Sequence, residues 1–436
     1  MRNSHSVLRQ ENCIEQTMSS NREQNTLAKL AEEVDKTSSI ESELGLIFYL
    51  NPVNRDELMD ELSALAGGTG GNGPLLTAEY PPLEFDTDQM YSRLDALERG
   101  PASVMGDLWN MRINQLRRQL ELLEARGRDH FTGLAVAEYG SPSRELVAWS
   151  AEILDDPLEA TRRLVSYVED TSHMDWPAPP PPVEALSRST GADPADPEGL
   201  PGPVGLDADS ARSYLEGVIR HYRLDGVDVQ ITDRLTARAA VEGGRLWLRD
   251  DILFDKQLLR RLAVHEVGVH LRRRARRSCN RHPLLEMESP HGPGTEEGLT
   301  VLAEARAGCL EPEVLKTYAG RVVAIEHSLK KGAAAVADFL TEKGFEPDEA
   351  ATLLMRAKRG TADFSDPGAF PKDLCYLEGA QRVLNYIRQG GTITPMLECL
   401  LGIEDLPYLP PYIVDFGGGQ GIESGTEPDA DSAPGY

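Results

Sequence analysis

Residues 261–277 read RLAVHEVGVHLRRRARR, which places two histidines, a glutamate and a run of arginines in one predicted helix. His265 and Glu266 are adjacent, and His270 follows five residues after His265, so the pattern is HExxxH. In the common zinc-binding pattern HExxH, the second histidine lies within about 40° of the first around the helix. Five residues separate the two imidazoles by about 140° on an ideal α-helix, which is too far for one metal ion.

A local i→i+5 turn would return both histidines to one face, and such π-helical turns occur mostly at functional sites. Gly268 lies between the histidines and is the residue that best tolerates this departure from α-helical geometry. The spacing therefore either excludes a shared metal ion, leaving packed or solvated histidines, or predicts a π-helical turn.

A third metal ligand is expected because a catalytic zinc usually takes three protein ligands and keeps a fourth position for water. Residues 294–308, GTEEGLTVLAEARAG, form a predicted helix in which Glu297 and Glu304 lie seven residues apart on nearly the same face. This spacing suggests Glu297 as a ligand and Glu304 as an outer partner for a histidine N–H. The alternative is two solvated acids near a helix N-terminus, and Glu296 is a competing carboxylate.

The arginine run includes Arg272, Arg273 and Arg274 and forms a basic segment in an acidic chain. One interpretation is that these arginines steer an acidic substrate towards the metal. The other is that their charges are solvated or are neutralised within the fold.

The rest of the chain predicts an α+β fold that is mostly α-helical. Leucines recur at helical spacing in residues 105–127, and helices are also expected over residues 145–168. Short alternating segments over residues 227–250 predict a small antiparallel sheet beside the histidine helix, with Gly243 and Gly244 as a turn. A helical N-terminal region precedes this unit.

Composition limits the function. The 436 residues carry a formal net charge of −26, which argues against general binding to nucleic acid or to an anionic membrane. The five cysteines have no CxxC spacing, so no disulfide framework or thiolate zinc site is indicated. No secretory signal and no apolar run of about 20 residues is present, so we expect a cytoplasmic protein.

Further segments share a pattern with the histidine helix. The chain resembles the QEGLA-motif metallopeptidases, which include the eukaryotic microtubule-associated tyrosine carboxypeptidases, over most of residues 40–405. Besides HEVGVH and TEEGL, the resemblance rests on five segments: YGSPSRELVAWSAEIL (139–154), GGRLWLRDD (243–251), AGRVVAIEHSL (319–329), RAKRG (356–360) and PKDLCYLEG (371–379). The chain departs from the family pattern at three positions: Glu296 replaces Gln, Thr300 replaces Ala and Lys358 replaces Tyr.

The resemblance implies that His265, His270 and Glu297 bind one zinc ion and that Glu266 is the catalytic glutamate. A carboxypeptidase must also hold a terminal carboxylate, for which a guanidinium is well suited. The candidates in the matching late segments are Arg356, Arg359 and Lys372, with Tyr376 as a hydrogen-bond donor to the developing oxyanion. Ordinary salt bridges are the alternative for each of the three cations.

We therefore expect a zinc metallocarboxypeptidase that removes a C-terminal residue, tyrosine among the possibilities, from an acidic protein or peptide tail. The alternatives are a non-catalytic metal-binding regulatory protein that contacts a partner through its arginine-rich helix, and a helical scaffold without metal. The expected organisation has five parts: a disordered tail (1–38), an N-terminal helical region (39–175), a Pro-rich linker or insertion (176–206), a zinc metallopeptidase domain (207–415) and an acidic disordered tail (416–436).

Overall fold

In a computed structural model of the chain, the described residues are 25–69, 76–99, 106–171, 173–183, 205–224, 226–233, 237–242, 244–277 and 282–408. Most of them are helical, and one small sheet is present among them, so the predicted fold class is confirmed. No helix in this described part is long and apolar enough to cross a bilayer.

The histidine helix, residues 256–277, runs through the middle of the fold. It begins at Asp255, whose carboxylate accepts hydrogen bonds from the backbone N–H groups of Gln257 and Leu258 and so caps the first turn. Its apolar side chains enter two hydrophobic clusters: Val267 packs with the sheet, and Val264 packs with the C-terminal helices. A helix that is apolar on opposite faces is buried between layers, which fixes its orientation.

The described part of the N-terminal region contains eight helices. They are α1 (25–44), α2 (Leu46–Leu50), α3 (Arg55–Ala66), α4 (Thr87–Glu98), α5 (Asp107–Ala125), α6 (Phe131–Tyr139), α7 (Arg144–Asp155) and α8 (Pro157–Glu169). The side chain of Ser143 caps α7, as its position before the apolar run predicts.

The first helix corrects the expected boundary of the N-terminal tail. Residues 25–38 are helical and continue into residues 39–44, whereas a tail was expected up to residue 38. Leu30, Val34 and Leu44 are buried on one side of this helix, and a polar composition rich in Asn, Gln and Ser obscures that spacing in the sequence. Residues 1–24 of the expected tail lie outside the described residues.

The sheet precedes the histidine helix in the chain. Its strands pair in a mixed pattern, whereas a wholly antiparallel sheet was expected. Its strands are β1 (Val229–Thr232), β2 (Ala239–Glu242) and β3 (Arg245–Arg249), in the order β1-β3-β2. Strands β2 and β3 form the predicted antiparallel hairpin, but β1 pairs with β3 in parallel. Alternating side chains indicate which face of a strand is buried, but they do not fix the direction of its neighbour.

The C-terminal half supplies the helices that surround the site. They are α9 (Ala208–His221), α10 (Lys256–Leu262), a π-helix (Ala263–Leu271), α11 (Arg272–Arg277), α12 (Gly292–Arg306), α13 (Pro312–Ser328), α14 (Ala333–Glu342), α15 (Pro347–Lys358), α16 (Cys375–Arg388) and α17 (Thr394–Glu398). Helix α12 packs against the π-helix on one side and against α16 on the other.

One hydrophobic cluster joins the two halves of the chain. Leu58 and Leu62 of α3 pack in the same cluster as Leu354 of α15, and Ile153 of α7 belongs to it as well. The N-terminal helices therefore brace the C-terminal half by a shared core, and the domain boundaries remain a prediction from the sequence.

The start of the Pro-rich segment is packed, although the composition suggested a solvated spacer. The hydroxyl of Tyr222 donates to the carbonyl of Ala178 at 2.6 Å, and the hydroxyl of Tyr214 donates to Pro181 at 3.0 Å. Val183 is buried beside α9. Prolines lack backbone donors but keep their carbonyl acceptors, so tyrosine hydroxyls can hold such a segment. Residues 184–204 of the predicted linker and the predicted acidic tail, 416–436, lie outside the description.

Candidate metal centre

The two histidines share one face because the helix between them is a π-helix. Residues Ala263–Leu271 adopt this form, in which i→i+5 hydrogen bonds bring residues five apart into line. The ring centroids of His265 and His270 are 4.9 Å apart. The π-helical turn that the HExxxH spacing predicts is therefore present, and the spacing does not exclude a shared metal ion.

Gly268 does not explain the π-helix in the way its permissive backbone suggested. Its φ lies outside the left-handed region, and a methyl group there would meet the carbonyl of Ala263 at 3.5 Å and the hydroxyl of Tyr222 at 3.6 Å. Both are ordinary van der Waals distances. Neither a left-handed φ nor a lack of space therefore requires glycine at position 268.

Glu297 completes a three-residue cluster with the histidines. Its Oε2 lies 3.7 Å from Nε2 of His265 and 3.9 Å from Nε2 of His270. One candidate ligand atom from each residue lies within 4.8 Å of the other two. Metal bonds of about 2.1 Å in a tetrahedron place ligand atoms about 3.4 Å apart, so the cluster is slightly wider than a bound zinc site.

An unpaired buried atom supports a metal between these three residues. Oε2 of Glu297 is buried and forms no hydrogen bond with any described residue, although it faces both imidazoles. A buried carboxylate oxygen without a partner costs free energy unless a ligand satisfies it. The side chains of His265 and His270 are each 12% exposed, so the cluster is partly open to solvent and does not lie deep within the core.

Each histidine also has a carboxylate on its other ring nitrogen. Nδ1 of His265 lies 2.8 Å from Oε1 of the fully buried Glu304. Nδ1 of His270 contacts Oε1 of Glu296 in the same way. Such contacts fix the tautomer that leaves Nε2 free to bind a metal.

Glu304 therefore lies where its spacing from Glu297 suggested, but the position of Glu296 was missed. The sequence offered Glu296 only as a rival ligand, whereas it contacts the far side of His270 and accepts a hydrogen bond from Arg274 at 2.6 Å. The role of Glu296 could have been predicted, because each metal-binding histidine usually donates its other ring N–H to an outer partner such as a carboxylate.

The buried charges on this side of the site balance one another. Burial alone would lower the pKa of His270, but the carboxylate of Glu296 raises it to about 9. Burial would raise the pKa of Glu296, but the charges of Arg274 and His270 hold it well below its usual range. Glu296 is thus ionised and holds a proton on Nδ1 of His270.

Glu266 directly follows the first histidine and is buried at 8% exposure. No ion pair or hydrogen bond with another described residue occupies its carboxylate. The carboxylate is therefore available to act on a molecule bound beside the cluster.

Two arginines of the run, Arg273 and Arg274, are bound within the fold. Arg273 is fully buried and donates to the carbonyls of Cys399 and Leu401, and Arg274 pairs with Glu296. The side chains of residues 276 and 277, and residue 281, lie outside the description. For Arg273 and Arg274, neutralisation within the fold is correct and free substrate steering is not.

Two glycines set the position of the glutamate helix α12. A methyl group on Gly298 would overlap the backbone carbonyl of Gly379, and one on Gly379 would overlap the carbonyl of Gly294. The backbones of α12 and α16 thus touch directly, next to Glu297. This contact explains why the segments TEEGL and YLEG each contain a glycine at this point.

The late segments form a cationic and aromatic wall beside the cluster. Arg356 and Arg359 both donate to Asp373, the latter at 3.2 Å. Tyr376 stacks on Tyr318 with ring centroids 4.9 Å apart. The sequence did not indicate Asp373 or Tyr318 as site residues, because their importance lies in contacts with residues that are distant in the chain.

Lys372 immediately precedes Asp373 in the chain and has no hydrogen bond with another described residue. Burial would raise the pKa of the half-buried Glu41, but Arg112 lowers it, and the charge of Lys372 adds to that lowering. Burial and the charge of Glu297 together raise the pKa of Tyr376 well above its usual value, so its hydroxyl stays protonated.

The comparisons with known proteins agree with this arrangement. No curated protein matches the chain closely enough to count as a relative. A family profile described as microtubule-associated tyrosine carboxypeptidase matches residues 185–413, which is more than half of the 436 residues and includes the whole histidine helix and α12. The chain therefore belongs to the microtubule-associated tyrosine carboxypeptidase family of metallopeptidases.

Proposed function

We propose that the chain is a zinc carboxypeptidase that hydrolyses the last peptide bond of an acidic protein or peptide tail and releases tyrosine. The observation that carries this proposal is Oε2 of Glu297, buried and unpaired, facing Nε2 of both histidines. Family membership supplies the reaction class, and this cluster supplies a place for the metal.

His265, His270 and Glu297 would hold one zinc ion. Two imidazoles and one carboxylate are a donor set found in zinc peptidases. The Nε2 atoms of His265 and His270 lie 3.7 Å and 3.9 Å from Oε2 of Glu297. When bound, zinc polarises the scissile carbonyl and makes a water molecule acidic enough to attack near neutral pH.

Glu266 would act as the general base. Its unpaired carboxylate takes a proton from the attacking water while the water oxygen bonds to the carbonyl carbon. The same carboxyl then gives that proton to the amine nitrogen as the C–N bond breaks. The products are the shortened tail with a new carboxylate and a free amino acid.

Tyr376 would donate its hydroxyl hydrogen to the developing oxyanion. The hydroxyl forms no hydrogen bond with another described residue, and its raised pKa keeps the donor proton in place. Glu304 and Glu296 would orient the histidines from the outer side of the centre.

Arg356, Arg359 and Lys372 would make the substrate end of the site positive. Arg356 and Arg359 share the single carboxylate of Asp373 with Arg321, and Lys372 forms no hydrogen bond with another described residue. This excess of positive charge suits a substrate that ends in carboxylates. The catalytic domain would span residues 207–415, in line with the matched residues 185–413.

The family description points to a protein associated with microtubules, so we infer a protein C-terminal tail as substrate and the cytoplasm as the place of action. Neither nucleic acid nor a membrane enters this proposal, because the net charge of −26 repels both.

The test is release of the last residue from peptides ending in Glu-Glu-Tyr or Pro-Gly-Tyr, followed by mass spectrometry with zinc present. Glu266→Gln should abolish release. The control Glu378→Gln should not, because the carboxylate of Glu378 pairs with Arg382 at 2.9 Å and contacts neither histidine. No release by the wild type, or equal release by Glu266→Gln, would refute the proposal. Bound zinc without turnover would instead favour the non-catalytic regulatory alternative.

A further inference from the structure

Arg321 on α13 is a cation that the sequence motifs did not single out. Its guanidinium carbon lies 4.3 Å from the ring centroid of Tyr376 and 5.2 Å from that of Tyr318. These two rings are stacked at an interplanar angle of 12°. The aromatic faces hold the guanidinium in a fixed orientation by cation–π contact.

Two nitrogens of this guanidinium lack partners. Nε and Nη1 of Arg321 are buried and form no hydrogen bond with any described residue. Nε lies 3.8 Å from Oδ2 of Asp373, which is beyond hydrogen-bond distance. Arg356 and Arg359 already take the two oxygens of that carboxylate. Buried N–H donors without acceptors are rare in folded proteins and call for an explanation such as a ligand.

A chain of contacts connects Arg321 to the metal cluster. Arg261 donates to Oε1 of Glu304 at 3.0 Å and to the hydroxyl of Tyr318 at 3.2 Å. The same oxygen of Glu304 lies 2.8 Å from Nδ1 of His265, and Tyr318 belongs to the aromatic pair on which Arg321 rests. The side chain of Arg321 remains 16% exposed, so part of it is open to solvent.

We propose that Arg321 binds the terminal carboxylate of the substrate. The inference rests on the proposed function. The end of a guanidinium presents N–H groups on Nη1 and Nη2 side by side, in a geometry that matches a carboxylate. Of these two atoms of Arg321, Nη1 is buried without an acceptor among the described residues. Arg356 and Arg359 are spent on Asp373 and act by holding the wall that Arg321 belongs to.

An anchor for the terminal carboxylate bears on a choice that the zinc motif leaves open. A substrate held by its terminal carboxylate presents a bond near its end to the cluster, whereas an internal segment offers the guanidinium no terminal carboxylate.

The ligand is a carboxylate, which could come from the chain terminus or from acidic side chains next to it. Three peptides of otherwise identical sequence separate these sources: one ending in Glu-Glu-Tyr acid, the same peptide as a terminal amide, and one ending in Gln-Gln-Tyr acid. The measured quantity is kcat/KM for release of the last residue.

The wild type should prefer the acid over the amide by about 10- to 150-fold, the range expected for charge-assisted hydrogen bonds. In Arg321→Met this ratio should fall to about 1, and Arg321→Lys should restore part of it. The matched control Arg382→Met removes an arginine paired with Glu378 and Glu404 and should keep the wild-type ratio. The Gln-Gln-Tyr acid should depend on Arg321 as strongly as the Glu-Glu-Tyr acid.

An unchanged acid-to-amide ratio in Arg321→Met would overturn the inference. It would also be overturned if Arg321→Met lowered kcat/KM for the Glu-Glu-Tyr acid but not for the Gln-Gln-Tyr acid. A collapse of the ratio in Arg356→Met but not in Arg321→Met would assign the anchor elsewhere. Loss of folding in both Arg321 variants, seen by thermal unfolding, would make the residue structural and would also overturn it.

A binding measurement separates this inference from the proposed function. Fluorescence anisotropy of labelled acid and amide peptides on zinc-loaded Glu266→Gln reports the anchor without turnover. If the wild type cleaves no peptide but the acid still binds more tightly in an Arg321-dependent way, the proposed function fails and the anchor stands. Equal binding of acid and amide while the wild type cleaves would refute the anchor alone.

Discussion

Substitution of Glu304 by glutamine should weaken zinc binding without unfolding the protein. Glu304 is fully buried, and one of its oxygens accepts from Nδ1 of His265 at 2.8 Å and from Nε of Arg261 at 3.0 Å. Glutamine keeps the shape but removes the charge that polarises His265 and balances Arg261. Loss of such an outer partner typically lowers metal affinity about 10- to 100-fold, or about 1.4–2.7 kcal/mol.

The assay is a competition titration of zinc against a chromophoric chelator at pH 7.5, with circular dichroism as a check on folding. Glu378→Gln is the matched control, because its carboxylate pairs with Arg382 and contacts neither histidine. An affinity within twofold of the wild type in Glu304→Gln would refute the role assigned to this carboxylate. An equal loss in the control would show that the effect is a general one of charge.

Three further substitutions test other parts of the structure. Gly298→Ala should destabilise the fold by about 1–3 kcal/mol in urea unfolding and lower the zinc content, since its methyl group overlaps the carbonyl of Gly379; wild-type values would contradict the helix contact. Gly268→Ala should leave zinc content unchanged and stability within about 1 kcal/mol, because the added methyl makes ordinary contacts; loss of zinc would show that the π-helix needs glycine. Burial lowers the pKa of Lys358 to about 8 in the folded state, below its value of about 10.4 in the unfolded state. Between these two pH values only the unfolded state binds the proton, so the free energy of unfolding rises with pH. The free energy of unfolding of the wild type relative to Lys358→Met should therefore rise by up to about 3 kcal/mol from pH 7.5 to 10.5, and a constant difference would contradict this.

The centre of the site could be predicted because it depends on residue counting within helices. His270 is five positions after His265, which requires an i→i+5 turn if both bind one metal, and that turn is present. Glu304 is seven positions after Glu297, so both lie on one face of α12, and both contact His265. Periodicity therefore placed these residues as candidates, and the family resemblance implied which of them are metal ligands.

The remainder depends on contacts between distant segments, which periodicity does not encode. The hydrogen bonds of Arg356 and Arg359 to Asp373 leave Nε and Nη1 of Arg321 without acceptors among the described residues. This arrangement follows only from the packing of α13, α15 and the segment before α16. The parallel pairing of β1 with β3 depends likewise on how the hairpin docks.

The surroundings of the arginine run also depend on contacts between distant segments. Its composition suggested an exposed basic surface, but Arg273 is fully buried against the carbonyls of Cys399 and Leu401. Those acceptors come from a segment more than 120 residues away in the chain. No local pattern around residue 273 indicates such partners.

The most direct test of the central claim is the zinc content of the purified chain measured by elemental analysis, in the wild type and in His265→Ala. We predict about one zinc per wild-type chain and a near-complete loss in His265→Ala, because two of three protein ligands hold a catalytic zinc poorly. Folding of the variant is checked by circular dichroism. No zinc in the wild type after incubation with the metal, or equal zinc in both proteins, would contradict the account.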